Sequence, residues 1–425
     1  MIALILALML ALIALGLPIA IALLIVSVLY FFLTDLPLLL VAQHMLNGAS
    51  SFILIAVPLF ILAGQLMNNG GVTKRIIRFC MALLGSSRGG LAKVNVFSSM
   101  IFAGISGEAV ADTAGLGGVL IPAMKKAGYT AHHSAAITAS SAVAGPIIPP
   151  SIPMIICASL AQVSVGQMFL GGAIPGFLFI IGSLSFIHIS STRSGFPSGE
   201  KTPPGELRAA FMDAVWALLA PIVIVGALVS GIVTVTEAAV IGVIYVFIIG
   251  KFVYKELDVK ILLSQVAYTA SLTGAIMFIL AAAKAYTYTL TREQVANVLT
   301  SSIIGITDNT TLIFFCIIAV GLVIGSILST TAGLLLMVPL LAPLVPQTGM
   351  DPIQFYVLIT VALCIGTLTP PVGINLYLAS SIAGAEPMKV FMKSAPYIGI
   401  LLLIIVLSTI FPEIVIWLPR AVYAV

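Results

Sequence analysis

Gly145-Pro-Ile-Ile-Pro-Pro-Ser151 and Gly366-Thr-Leu-Thr-Pro-Pro-Val372 are the two stretches on which the reading of this 425-residue chain turns. Each lies inside a long apolar segment, 134–162 and 355–384. Neither segment can be one continuous helix, because proline has no N–H to donate and its ring collides with the preceding turn. The carbonyls so freed cannot be left in hydrocarbon. Unwound backbone at membrane depth is tolerated only where it is buried in protein or lines a cavity. The two stretches therefore predict two discontinuous helices that meet at a site.

The surrounding composition is that of a membrane protein. Apolar residues make up 61% of the chain and charged residues 8%, against about 25% charged in a soluble domain. Runs long enough to cross a bilayer core recur at 2–31, 51–69, 134–162, 167–191, 212–230, 235–255, 262–284, 355–384 and 393–418. The first run has no basic residue near its start and is about twice the length of a signal-peptide core, so it reads as a retained transmembrane helix. Stretches 32–50, 72–88, 257–262 and 289–305 are too short or too polar to span and read as interfacial helices. The Gly/Pro/Ser-rich stretch 193–206 reads as a flexible loop. The net charge of +4 comes from basic residues confined to short segments, which is an orientation signal and not a nucleic-acid surface. The four cysteines, Cys80, Cys157, Cys316 and Cys364, show no metal or redox spacing and read as small core residues.

Two further apolar regions, 94–124 and 311–346, are interrupted near their midpoints by Gly104-Ile-Ser-Gly-Glu108 and Gly325-Ser-Ile-Leu-Ser-Thr-Thr331. Arg88 and Lys93 precede the first and Lys125 and Lys126 follow it, which places both its ends in the cytoplasm. The second has Asp308 and Asp351 at its ends and no basic residue between Arg292 and Lys389, so both its ends face the periplasm. Two re-entrant hairpins entering from opposite sides follow. The remaining basic residues put the N-terminus in the cytoplasm and the C-terminus in the periplasm, against the grain of Lys284, Arg292 and Arg420.

A shift of 221 residues, Gly145 onto Gly366, aligns the halves without a gap from 104 to 175. It pairs Gly104 with Gly325, Pro122 with Pro343, Gly128 with Gly349, Pro149-Pro150 with Pro370-Pro371 and Pro175 with Pro396. Coincidence of Gly and Pro at breaks outweighs identity in bulk apolar helix. The expected fold is thus an all-α polytopic membrane protein, an inverted repeat with two re-entrant hairpins and two discontinuous helices. Its halves are 1–210 and 211–425. Such repeats build secondary transporters with a midplane site.

The chemistry is expected at the breaks. Bare carbonyls with neighbouring hydroxyls suit Na⁺, and half-helix N-termini favour an anion. One cation site joins Ser106, Gly107 and Glu108 to Gly145, with Ser140 and Ser141 nearby. The other joins Ser326, Ser329 and Thr330 to Gly366, Thr367 and Thr369. Substrate is expected between them, on Asp112, Ser140, Ser141, Pro149, Pro150 and Asn375. Glu108 and Asp112 are intramembrane acids, which are functional-site candidates by default; otherwise Glu108 sits in the turn and Asp112 caps the returning helix. The same small polar residues also permit close helix packing. Thr234-Val-Thr-Glu237 and Thr291-Arg-Glu-Gln294 read as capping boxes, and Asp351-Pro352 as an N-cap followed by proline.

Gly104-Ile-Ser-Gly-Glu-Ala-Val-Ala-Asp-Thr-Ala-Gly115, the Gly145 break and Gly366-Thr-Leu-Thr-Pro-Pro-Val-Gly-Ile-Asn375 resemble the large membrane subunit of TRAP (tripartite ATP-independent periplasmic) transporters. The resemblance covers essentially the whole chain. It implies a Na⁺-driven importer of organic acid anions, sialic acid or C4-dicarboxylates, in the bacterial inner membrane. It also implies an elevator mechanism and two partners: a small four-helix membrane subunit and a periplasmic substrate-binding protein. Many members carry an acid in the second hairpin turn, where this chain has Ser329. Two other readings compete: a stand-alone divalent-anion/Na⁺ symporter of related fold, and a rhomboid-like intramembrane serine protease built on Gly104-Ile-Ser106-Gly107 with His132, His133 or His188 as base.

Overall fold

The computed structural model of the protein describes residues 2–50, 52–193, 195–199, 201–294 and 310–423. These residues are helical apart from turns and one isolated bridge between Arg88 and Ser198. In chain order the helices are α1 (Ile2–Ala14), α2 (Ile19–Leu33), α3 (Leu39–Ala49), α4 (Ala56–Asn69) and α5 (Val72–Leu84). The first hairpin is α6 (Gly90–Ser106) and α7 (Ala109–Lys126), and the first broken helix is α8 (Ala131–Ala142) and α9 (Ile152–Ala161). Then come α10 (Val165–Ser190), α11 (Glu206–Val229), α12 (Val235–Ile248) and α13 (Val259–Arg292). The second hairpin is α14 (Thr310–Ile327) and α15 (Thr330–Leu341), and the second broken helix is α16 (Pro352–Gly366) and α17 (Ile374–Ala383). Two helices close the chain, α18 (Pro387–Ile410) and α19 (Glu413–Tyr423).

Both hairpins and both broken helices fall where the Gly and Pro interruptions put them. The 221-residue shift carries the turn Gly107-Glu108 onto Leu328-Ser329 and the start of α8 onto the start of α16. The Pro149-Pro150 and Pro370-Pro371 bonds are both cis.

Several expected boundaries change, each for a local reason. The run 2–31 is two helices, because Gly16 adopts φ +86° and Pro18 starts α2; hydropathy alone reads straight through that turn. The run 393–418 is likewise interrupted at Phe411-Pro412, and α19 is a separate helix. By contrast 257–262 is no separate helix. Asp258 caps α13 by accepting the Ile261 N–H at 2.7 Å, and the helix then continues for 34 residues, about 51 Å at 1.5 Å per residue. Thr291 lies inside that helix and donates to the Thr287 carbonyl, so it does not cap a new one. The rest of 289–305, from residue 295, and Asp308 lie outside the described residues. Within the stretch 193–206, Phe196 is buried against Tyr129 and His133, and Thr202 Oγ1 donates to the Ala82 carbonyl, so these positions are tied down. The Thr234–Glu237 capping box and the Asp351 cap form as expected.

Six of the described helices are long and apolar enough to cross a membrane: 52–69, 165–190, 206–229, 235–253, 259–292 and 387–410. The hairpins and broken helices interlock inside them. α7 lies on α8 and α17, α9 on α15, and α14 on α16. α16 is buried on every side from Ile353 to Gly366, as is α8 from Ser134 to Ala142; helices apolar or small all round belong at the centre of a body. α13 crosses this body on the outside, touching α2, α3, α4 and α15. α5 is amphipathic. It buries Val72, Ile76 and Cys80, while Arg75 pairs with Asp213 (3.1 Å) and Glu256 (2.8 Å) and Arg78 with Glu206 (2.9 Å).

Candidate transport site

Each hairpin turn is seated on the break of its own half. At the first, Gly107 takes φ +62° and Glu108 an extended backbone that starts α7. A side chain at 107 would meet the Ile152 nitrogen at 3.0 Å, so glycine is needed both for the turn and for its close approach to α9. The Ile152 N–H donates to the Gly107 carbonyl at 3.3 Å. Gly145 faces the same turn: a Cβ there would stand 3.0 Å from Asp112 Oδ2 and 3.2 Å from the Glu108 nitrogen. Ser106 Oγ donates to Asp112 Oδ1. Asp112 is fully buried, and its Oδ2 has no hydrogen-bond partner among the described residues; neither do Thr113 Oγ1 and Ser140 Oγ.

At the second seat the Ser326 carbonyl accepts from the N–H groups of Val372 (3.1 Å) and Gly373 (2.8 Å). Gly366 packs directly against the backbone of Gly325 and Ser326. Asn375 donates from Nδ2 to Thr367 Oγ1 at 3.1 Å, and its buried Oδ1 has no partner among the described residues. Ser329 caps α15 by accepting the Ala332 N–H at 3.3 Å. Among the described residues this seat contains no carboxylate: the 221-residue shift carries Glu108 onto Ser329 and Asp112 onto Gly333.

Between the two hairpin turns lies a cavity of about 690 Å³. Its polar lining comes from Ser106 and Glu108 on one turn, Ser329 and Thr331 on the other, and Gln65, Asn68 and Tyr268 from α4 and α13; the remainder is small or apolar. Thr331 Oγ1 donates to Glu108 Oε2 at 3.3 Å, which joins the two hairpins across a sequence separation of 223. A mostly apolar cavity with a few convergent polar groups is what a small-ligand site looks like.

Of the residues expected at the site, Ser106, Glu108 and Ser329 line this cavity. Gly107, Asp112 and Gly145 lie behind it at the first seat, and Ser326, Gly366, Thr367 and Asn375 at the second; Ser140 is buried near the end of α8, ahead of the first break. Thr330 and Thr369 direct their hydroxyls at the Cys364 sulfur (3.6 Å) and the Ile365 carbonyl (2.9 Å). Ser141 belongs to a packing network: it accepts from Ser99 Oγ and donates to Asn95 Oδ1, fixing α8 on α6. Pro150 abuts Gly107 and Pro149 lies behind Gly104. Gln65, Asn68, Tyr268 and Thr331 were not expected. Gln65 and Asn68, three apart on one helical face at the end of an apolar run, were the signal available; Tyr268 carried none.

The profile of the family described as "Tripartite ATP-independent periplasmic transporter, DctM component" matches residues 6–414. The chain belongs to this family. It is 34% identical to the C4-dicarboxylate TRAP transporter large permease protein DctM of Vibrio cholerae over 98% of this chain and 97% of that one. It is 33% identical to the sialic acid TRAP transporter large permease protein SiaM of the same organism, with 95% of each covered. The fold is similar to that of the Alcanivorax borkumensis YdaH transporter, at a TM-score of 0.62 with 14% identity over 88% of this chain and 87% of that one. A TRAP large permease is a transport protein, which sets the protease reading aside. Consistently, the Ser106 hydroxyl is engaged by Asp112 and no histidine lines the cavity among the described residues.

Proposed function

We propose that this TRAP large permease imports an organic acid anion, of the sialic acid or C4-dicarboxylate class, together with Na⁺. It sits in the bacterial inner membrane with its N-terminus in the cytoplasm and its C-terminus in the periplasm. A periplasmic binding protein delivers the substrate, and a small four-helix membrane subunit enlarges the scaffold. The cavity between the hairpin turns receives the anion, and the two seats behind it receive the cations.

One observation carries this reading: buried oxygens without a hydrogen-bond partner among the described residues, Asp112 Oδ2 at one break, Ser140 Oγ on the helix leading into it, and Asn375 Oδ1 at the other. A buried polar atom left unpaired costs about 1–3 kcal/mol, more if charged. A hard cation with oxygen ligands removes that cost. Ser106, Asp112, Ser140 and the backbone around Gly107 and Gly145 would hold one Na⁺. Ser326, Thr367, Asn375 and the backbone around Gly366 would hold the other. Asp112 and Ser140 are thereby assigned to the ion and not to the substrate, because neither lines the cavity. The interlocked hairpins and broken helices support an elevator, in which they travel as one body against α1–α5, α10–α13 and α18. The matching breaks at one shift, with basic residues at opposite ends, support halves 1–210 and 211–425 of inverted orientation.

The test is uptake into proteoliposomes holding both membrane subunits, with the binding protein outside. Transport is expected to require an inward Na⁺ gradient and the binding protein. Uptake driven equally by a proton gradient without Na⁺ would overturn the ion assignment. Uptake without any binding protein would favour a stand-alone symporter.

A further inference from the structure

We propose that the groove between α5 and the start of α11 binds one anionic phospholipid, its phosphate on Arg208 and an acyl chain along Phe79 and Phe211. The proposal does not depend on the reading of the cavity between the hairpins.

The groove has a volume of about 490 Å³ and is lined by Phe79, Leu83, Gly205, Leu207, Arg208 and Phe211. The rings of Phe79 and Phe211 meet across the two helices, with centroids 5.8 Å apart. Leu83, Leu207 and Phe211 stay exposed. α11 is one of the helices long and apolar enough to cross a membrane. From Gly205 to Phe211 it advances about 9 Å at 1.5 Å per residue, more than the roughly 5–8 Å of one headgroup layer. A groove of that length starts among headgroups and ends among acyl chains.

The charges beside the groove leave one cation over. On α5, Lys74 pairs with Glu256, Arg75 with Glu256 and Asp213, and Arg78 with Glu206 and Asp213. The acids Glu206, Asp213 and Glu256 are thus already matched. Arg208 is exposed and makes no ion pair or hydrogen bond among the described residues. It also stands in the first turn of α11, where the helix dipole disfavours a cation. An anion beside it removes that penalty, and a guanidinium offers a phosphate two parallel N–H donors.

Apolar walls and a single unpaired cation together specify the ligand. A soluble anion would leave Phe79, Leu83 and Phe211 uncovered. A zwitterionic lipid carries its own ammonium group, which competes with Arg208 for the phosphate. A lipid of net negative charge satisfies both parts of the groove. One Lys or Arg near an anionic membrane surface strengthens binding about fivefold.

The test is thermal unfolding of the delipidated complex of this chain with its small membrane subunit, titrated with phosphatidylglycerol or with phosphatidylcholine of the same acyl chains. Phosphatidylglycerol is expected to stabilise at a concentration about fivefold below that of phosphatidylcholine. Arg208→Gln, which breaks no bond in the structure, is expected to abolish this preference and to leave the transition in detergent alone unchanged. Lys126→Gln, at an exposed cation that does not line the groove, is expected to keep it. Leu83→Ser is expected to weaken phosphatidylglycerol at least twofold. Equal action of the two lipids on the wild type would overturn the proposal. So would a preference that survives Arg208→Gln, because it would belong to other cations. Inorganic phosphate acting at the same concentrations as phosphatidylglycerol would make this a free-anion site and overturn the lipid assignment. An unchanged response in Leu83→Ser would remove the acyl chain from the groove, with the same result.

Discussion

Replacing Gly366 by alanine tests how the second hairpin is seated on its break. A Cβ at this position would stand 2.5 Å from the Gly325 Cα and 2.6 Å from the Ser326 nitrogen. Ordinary contact begins near 3.4 Å, and both neighbours are backbone, which cannot rotate aside. The turn must therefore back away by nearly 1 Å, at a cost toward the upper end of the 1–3 kcal/mol typical of overpacking. That movement stretches the bonds from the Val372 and Gly373 N–H groups to the Ser326 carbonyl, each worth about 1 kcal/mol net. A loss of about 4–5 kcal/mol results. Gly399 of α18 is the control, because nothing lies within 4 Å of its built Cβ; alanine there gains about 0.5–1 kcal/mol from helix propensity. Thermal unfolding in detergent should place Gly366→Ala well below Gly399→Ala, and only the former should lose Na⁺-dependent uptake. Equal transitions with transport retained would refute the seating argument.

Three further outcomes are expected. Asp112→Asn should not destabilise the protein in K⁺ buffer, because the atom it replaces, Asp112 Oδ2, has no hydrogen-bond partner among the described residues to lose. It should lose most of the Na⁺ stabilisation, about 2.7 kcal/mol in the wild type at a hundred times the Kd; an unaltered Na⁺ shift would remove Asp112 from the ion seat. Ser151→Ala deletes a buried cap that accepts from the Met154 N–H at 3.2 Å and donates to the Pro146 carbonyl at 2.6 Å. It should cost about 1–2 kcal/mol in thermal unfolding, and more than removal of the exposed Thr234 cap. Finally, the hydrogen bond from Arg75 holds Glu256 below the ordinary carboxylate value of 4.5. Its contribution is therefore complete above that value and is lost as pH falls through the lower folded value. Arg75→Lys, which breaks the forked contact to Asp213 and Glu256, should move the acid limb of the stability profile upward. A profile that does not move would show that this exposed cluster contributes nothing measurable.

Membership of the TRAP family was legible because its motifs are backbone devices. Pro149-Pro150, Pro370-Pro371, Gly107 and Gly366 act on the chain within a few residues of themselves, so the sequence by itself determined the hairpins, the broken helices and the shift that relates them. The turns at Gly16-Leu17-Pro18 and at Pro412 are devices of the same kind, but the apolar runs 2–31 and 393–418 hide them, so that each run reads as one span. Composition set the membrane as solvent.

The direction of each polar group was decided by tertiary structure alone. Glu108 and Asp112 are four residues apart, yet one lines the cavity and the other lies behind its wall against Gly145. Ser140 and Ser141 are adjacent, yet one hydroxyl has no partner among the described residues and the other is spent on Ser99 and Asn95. Tyr268 reaches the cavity from a helix that nothing local marks as functional. The physical reason is distance along the chain: the partner that orients Glu108 is Thr331, 223 residues away. A backbone break is written where it occurs, whereas the side a carboxylate faces is fixed by the segments packed against it.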